Sequence, residues 1–450
     1  MKEHLPFPVL RAIFVALVTL NPSTAHAVAS YARQTGLACN GCHTTPPELN
    51  TAGRTFKLLG YTDRALDTGT VTSAPGEHHS ALDLLKSLPL SALVETSFTS
   101  TKSAQPGTQN RNFEFPQDVS VFLAGAWTKH VGSFVQVTYN KQNDHFSIDN
   151  SDIRYANKGK LAGKELVYGL TLNNNPTVED LWNSTPAWGY PWIASDSAPT
   201  PSAHPLVQGG LAQDVAGIGG YGMWNDHLYL ASTIYRSDHI GSPQPTSGIG
   251  FAINIRNVAP YWRVAWQQSI GSDNYLEVGG YGMHLKSTPN SVAGLEDEYT
   301  DWAADLQFDR TMFVRDVLSV RATYIHETSS LAATFNQGGA AQVGHTLHSF
   351  AANVGYHFGN RYSATLGWFD VGGTPDTVLY SSAAVTGSAN GSPKSAGYIA
   401  NLSWWPMQNL QVAFQYTAYT RFNGAATNYD GAGRNASDNN TAYVLARFIF

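Results

Sequence analysis

The chain has 450 residues and a formal charge of −6, with 27 Lys and Arg against 33 Asp and Glu. No basic patch points to nucleic acid, and no nucleotide loop or catalytic triad stands out. Only 13% of residues are charged while 12% are aromatic, and past the N-terminal segment no run approaches the roughly 18 apolar residues of a membrane helix.

The N-terminus carries Lys2 and Arg11, an apolar run from Ala12 to Leu20, then Ala25-His26-Ala27. This is the pattern of a secretory signal peptide with an A-x-A cleavage site, too short to span a membrane. Residues 1–27 are therefore expected to be the signal, with the mature chain starting at Val28.

The two cysteines of the chain come soon after, in Cys39-Asn40-Gly41-Cys42-His43. C-x-x-C-H is the pattern of covalent c-type haem attachment, in which two thiols form thioethers and the adjacent histidine reaches the iron. A zinc site would need further nearby ligands, and no other cysteine supplies thiolate. A thioredoxin-like pair would need a βαβ context, which is missing; a plain disulfide is the main rival. One covalent haem c is expected, held by Cys39, Cys42 and His43. No methionine occurs between Val28 and Pro89, so His78 or His79 is the candidate second axial ligand. The other options are linker histidines beside an open coordination position, or a barrel residue such as Met283.

Pro46-Pro47 is expected to open a helix in which Leu49, Ala52, Phe56 and Leu59 share a face, before Gly60 ends it. A second short helix is expected over Ala81 to Leu88. Residues 28–88 thus form a small helical monohaem module, too short to bury much core alone. Its tether to the first strand predicts that it plugs the mouth of the larger domain downstream.

From about Pro89 to Phe450, strand-like segments of about ten to thirteen residues recur. Trp302, Ala304, Leu306 and Phe308 alternate with Asp301, Asp305, Gln307 and Asp309. Leu318, Val320, Ala322 and Tyr324 alternate with Ser319, Arg321 and Thr323, and Tyr362, Ala364, Leu366 and Trp368 with Arg361, Ser363 and Thr365. Leu410, Val412, Phe414, Tyr416 and Ala418 alternate with Gln411, Gln415, Thr417, Tyr419 and Arg421. Successive strand residues face opposite ways, so one face meets lipid and the other a lumen. Short turns are expected at Lys129–Gly132, Asn225–Asp226, Gly271–Asn274, Phe358–Asn360 and Pro406–Gln408. They alternate with long connections at Pro176–Leu211, Ser237–Asn257, Thr328–Gly344, Gly372–Lys394 and Phe422–Asp438. The reading is an all-β, roughly 16-stranded transmembrane barrel over residues 89–450, ending on an aromatic residue. A propeller would need a blade-length repeat, and the one match, Gly219-Gly220-Tyr221-Gly222-Met223 with Gly279-Gly280-Tyr281-Gly282-Met283, is too little.

The layout resembles the fused monohaem cytochrome–porins of bacterial outer membranes, a family that includes outer-membrane iron oxidases. The local likeness lies in the run Ala32 to His43, with Leu49-Asn50-Thr51-Ala52-Gly53 and Phe56-Lys57 after it. The resemblance implies a haem module within or below the barrel, on the periplasmic side or in the lumen. It also implies electron flow from extracellular ferrous iron, through the haem, to a periplasmic c-type cytochrome or another carrier, making the chain a possible ferrous-iron oxidoreductase. Only Cys39, Cys42 and His43 carry over; the barrel has no matching motif for the donor. Lumen residues Glu277, Asp301, Asp305 and Asp309 offer oxygen ligands for ferrous iron, as do loop residues Glu179, Asp180, Asp196, Glu296, Asp297 and Glu298, and all are equally ordinary polar lining. The rival function is a haem-plugged porin with a gating or sensing role.

Overall fold

The computed structural model describes residues 28–62, 89–238, 254–289, 294–313, 315–359 and 361–450, and the backbone of Thr70–Val71 and Leu84–Leu85. The expected signal, residues 1–27, and His78 and His79 lie outside the described residues.

Sixteen strands form a closed antiparallel barrel. They are β1 Leu90–Thr101, β2 Asp118–Ala126, β3 Val131–Asn140, β4 His145–Leu161, β5 Lys164–Asn173, β6 Val215–Trp224, β7 Leu228–Ser237 and β8 Ala259–Ile270. The second half comprises β9 Asn274–Ser287, β10 Asp297–Met312, β11 Asp316–Leu331, β12 Gly344–Phe358, β13 Tyr362–Gly373, β14 Ser395–Met407, β15 Leu410–Arg421 and β16 Thr441–Ile449. The barrel closes where β16 pairs with β1, Leu445 opposite Ser97. A three-residue strand, Asn112–Glu114, adds to the far end of β1. Closure leaves no unpaired edge, the condition for backbone to cross lipid.

The expected alternation is present. Trp302, Leu366, Leu402 and Phe414 point outward and are exposed, while Asp305, Thr365, Asn401 and Gln415 point inward and are buried. Strand ends match the expected turns within one or two residues, except that Pro406 still belongs to β14, which runs to Met407. One end of the barrel carries the short turns; the other carries the long loops. The longest, residues 174–214, folds back into the lumen, where Leu181, Trp182 and Val207 are buried.

The N-terminal module holds helices α1 Ala29–Thr35, α2 Cys39–Cys42 and α3 Thr51–Leu58. Two helical expectations need correction. Pro46-Pro47 does not open α3; it makes the turn between the paired strands His43–Thr45 and Glu48–Leu49. The helix starts at Thr51 because Asn50 caps it, its side-chain oxygen accepting from the Gly53 N–H at 3.0 Å. Ala81 to Leu88 is not continuously helical either, since Leu84–Leu85 is extended and pairs with Thr70–Val71. The rest of that segment lies outside the described residues.

Candidate functional site

The module sits in the short-turn mouth of the barrel. Tyr31 donates to the Ser133 carbonyl at 2.6 Å, and Gln34 joins Tyr61 to the backbone of Ala126. Further round the mouth the Cys39 thiol is 3.3 Å from the Gln408 carbonyl, in the β14–β15 turn. Three charged side chains of the module are almost fully buried: Glu48 and Arg54 point into the wall, and Lys57 into the infolded loop. Glu48 pairs with Arg321 of β11 and lies 3.5 Å from His357 of β12. Arg54 is 3.9 Å from Asp309 and stacks over the Tyr275 ring at 4.0 Å. Lys57 donates to the Asp180 carbonyl at 2.6 Å and covers the Trp188 ring at 4.2 Å.

Burial dominates the titration of these groups. Glu48 is pushed up to about 7 by burial, against the opposing pull of Arg321. Lys57 is pushed down to about 7 by burial and by Arg154, with Asp152 and Asp180 pulling the other way. Asp180 is held below the ordinary carboxylate range despite burial, because Arg263 and the Trp182 N–H stabilise its charge.

Between the module and the wall lies an open, mostly apolar pocket. Cys39, Cys42 and His43 line it, with apolar partners that include Leu37, Leu49, Phe56, Phe122 and Phe134. One helical turn, α2, places the two cysteines three apart and hence on one face. His43 Nδ1 is 3.3 Å from the Glu48 carbonyl. A carbonyl only accepts, so Nδ1 carries the proton and Nε2 keeps its lone pair for a metal. Burial also pushes His43 down to about 4, so the imidazole is neutral at ordinary pH. Two thiols on one face, a neutral histidine oriented from behind, and an apolar wall fit the haem that the motif predicts.

Sequence reasoning missed what fastens this loop. Asn50, besides capping α3, donates to the carbonyls of Asn40 and Gly41 at 3.3 and 3.2 Å. Gly53 lets α3 lie against the Cys42 carbonyl, which a Cβ would meet at 2.2 Å. The cap could have been read from an Asn before a helical stretch; the Glu48–Arg321–His357 contact joins residues too distant in sequence to leave a local sign.

The structure brings Cys39, Cys42 and His43 together and does not bring Met283 to them. Met283 is buried among Tyr261, Tyr281 and Leu285, toward the long-loop end of β9. The lumen carboxylates are engaged by other protein groups. Arg263 binds Asp305 at 2.7 Å, Glu277 at 3.1 Å and Asp180 at 3.2 Å. Asp309 accepts from Gln307 and Ser319, and Asp301 from the Val207 N–H. In the loops, Glu179 accepts from Thr233, Tyr235 and Asn173; Asp196 accepts from Asn140. Asp297 accepts the Ala333 and Thr334 N–H groups, Glu296 pairs with Arg256, and Glu298 with Lys286. Among the described residues no three His, Cys, Asp or Glu side chains converge as a metal site.

No family profile and no curated protein matches this sequence. Among solved structures the chain is similar to the anion-selective porin from Comamonas acidovorans, at 10% identity over 80% of this chain and 98% of that one, TM-score 0.46. It is similar to the outer membrane channel DcaP of Acinetobacter baumannii at 12% identity, 80% and 96% coverage, TM-score 0.45. It is also similar to in-vitro folded OmpT of Vibrio cholerae, at 9% identity, 80% and 96% coverage, TM-score 0.42. At such identities the likeness is one of fold alone.

Proposed function

We propose that this chain is an outer-membrane electron conduit, passing electrons between an extracellular donor, ferrous iron in the first instance, and a periplasmic carrier. The observation that carries the reading is the apolar pocket at the short-turn mouth, walled by both cysteines and by a histidine with its Nε2 lone pair available. A haem c bound there would supply a one-electron site. Cys39 and Cys42 would hold it covalently, His43 would ligate from one face, and the Glu48 carbonyl would keep that imidazole in the ligating tautomer. Phe56, Phe122 and Phe134 would exclude water, while the barrel insulates the site from lipid. The exposed apolar band of the wall supports a membrane location, because a water-facing surface with Leu366, Leu402 and Ile218 each more than half exposed would aggregate.

The test uses the full chain matured in a host that attaches c-type haem, reconstituted in liposomes. Ferrous iron outside should reduce an enclosed acceptor, and His43→Ala should abolish the haem redox signal. A second reading, a haem-plugged porin, draws on a lumen cavity of about 400 Å³ lined by Tyr190, Gln415 and Tyr443. Solute leakage without electron transfer would favour it. A mature protein without Soret absorption would end both readings.

A further inference from the structure

One sector of the lumen, on β4 to β9, is filled by aromatic rings in a continuous series. Tyr31 and Tyr61 stack in the pocket wall with centroids 5.5 Å apart. The Arg154 guanidinium lies over both Tyr61, at 5.9 Å, and Tyr221, at 4.9 Å. Tyr221 is 6.4 Å from Tyr229, and Tyr229 packs edge-on to Trp182 at 5.6 Å. The Arg263 guanidinium bridges Trp182, at 5.3 Å, to Tyr281, at 5.6 Å. Tyr281 is 6.2 Å from Tyr261, which is 6.4 Å from Tyr235.

This series has a direction. Tyr229 stands at the short-turn end of β7 and Tyr235 near its long-loop end. Their separation is about 20 Å along the strand at about 3.3 Å per residue, or about 15 Å of the roughly 25 Å apolar band once strands tilt by about 40°. Trp182, Tyr229, Tyr235, Tyr261 and Tyr281 have no solvent exposure.

We propose that these rings are the electron path between the long-loop face and the haem pocket, an inference that rests on the conduit reading above. One electron leaves a one-electron donor at the long-loop end and arrives at the ferric iron in the pocket. The donor is oxidised by one unit and the iron reduced by one. The rings act as a tunnelling bridge, so their own oxidation and protonation states are unchanged. Trp182, carried by the infolded loop, joins the lower and upper halves.

The experiment attaches a ruthenium photosensitiser to Val258→Cys, at the long-loop start of β8, in the haem-loaded full chain. Flash-induced reduction of the haem is then timed. Trp182→Leu and Tyr229→Leu should each slow the transfer several-fold, while Tyr229→Phe, which keeps the ring, should leave it near the parent rate. Ile193→Ala, a cavity on the other side of the lumen, should also leave it unchanged. The Soret spectrum, midpoint potential and heat-dependent gel shift identify variants that retain the fold. Parent-like rates in properly folded Trp182→Leu and Tyr229→Leu proteins would overturn the path and leave the conduit standing. Ring-dependent flash transfer without reduction by external ferrous iron would retain the path and reject that donor. A protein that attaches no haem overturns both.

Discussion

The barrel wall turns apolar side chains outward to lipid, whereas the plug turns charged side chains outward into the wall and the infolded loop. Leu402 and Trp302 face outward on their strands, while Glu48, Arg54 and Lys57 of the plug are at least 95% buried. The two surfaces obey one rule, because each matches its surroundings: hydrocarbon for the wall, and a lumen lined by Arg, Asp and Glu for the plug. They differ in how they are held. The wall is a repeated backbone ladder with about one apolar residue in two, so no single side chain defines it. The plug rests on a few paired charges, whose attraction only offsets the cost of burying them.

Removing one partner should therefore have its largest effect at the plug. Arg321→Ala leaves Glu48 buried without its guanidinium and should cost plug docking about 3–5 kcal/mol. Protease sensitivity of the N-terminal module should rise while the gel shift of the folded barrel is unchanged. A loss of barrel folding would mean that wall and plug are one cooperative unit. The matching lesion in the wall is Leu402→Arg, near the middle of β14, expected to cost about 2–4 kcal/mol. Urea titration of the refolded protein in lipid should show it, and an unchanged midpoint would place that face away from hydrocarbon.

Asn50→Ala is subtler. It removes the cap of α3 and two bonds to the Cys39–Cys42 loop, for a loss of about 1 kcal/mol. The yield of covalent haem should fall without a change in absorption maximum. The smallest effect is one of pH. His43 titrates near 4 when docked against 6.5 in the open chain, so the undocked form binds the proton first. Glu48 moves the opposite way on docking, from 4.5 up to about 7, so the two nearly cancel and docking of a haem-free Cys39→Ser, Cys42→Ser protein should change little between pH 4.5 and 6.5. Adding Glu48→Gln should leave docking strongest above 6.5 and weakening as pH falls toward 4. Protease sensitivity of that Glu48→Gln variant that stays flat across the range would show that the histidine remains accessible to protons in the docked state.

The barrel was legible because its determinants are local and periodic. Alternation at Trp302 to Asp309 and at Leu410 to Tyr416 assigns faces directly, since side-chain direction in a strand has a period of two. The grouping of Cys39, Cys42 and His43 at the pocket was legible in one pentapeptide. The helix start was not, because a proline pair at Pro46-Pro47 serves equally in a turn, and the Asn50 cap prevailed through a bond to Gly53.

Sequence alone determined that two thiols and a histidine share one loop, that about sixteen amphipathic strands succeed it, and which face of each strand meets lipid. These are properties of neighbours along the chain. Only the tertiary structure decided that Glu48 meets Arg321, that Lys57 reaches Asp180, and that Trp182 is carried inside to lie among Tyr229, Tyr281 and Arg263. Those contacts join residues far apart in sequence, or strands around a closed ring. Which charges and rings meet inside a lumen depends on closure and on the infolded loop, and neither leaves a period in the sequence.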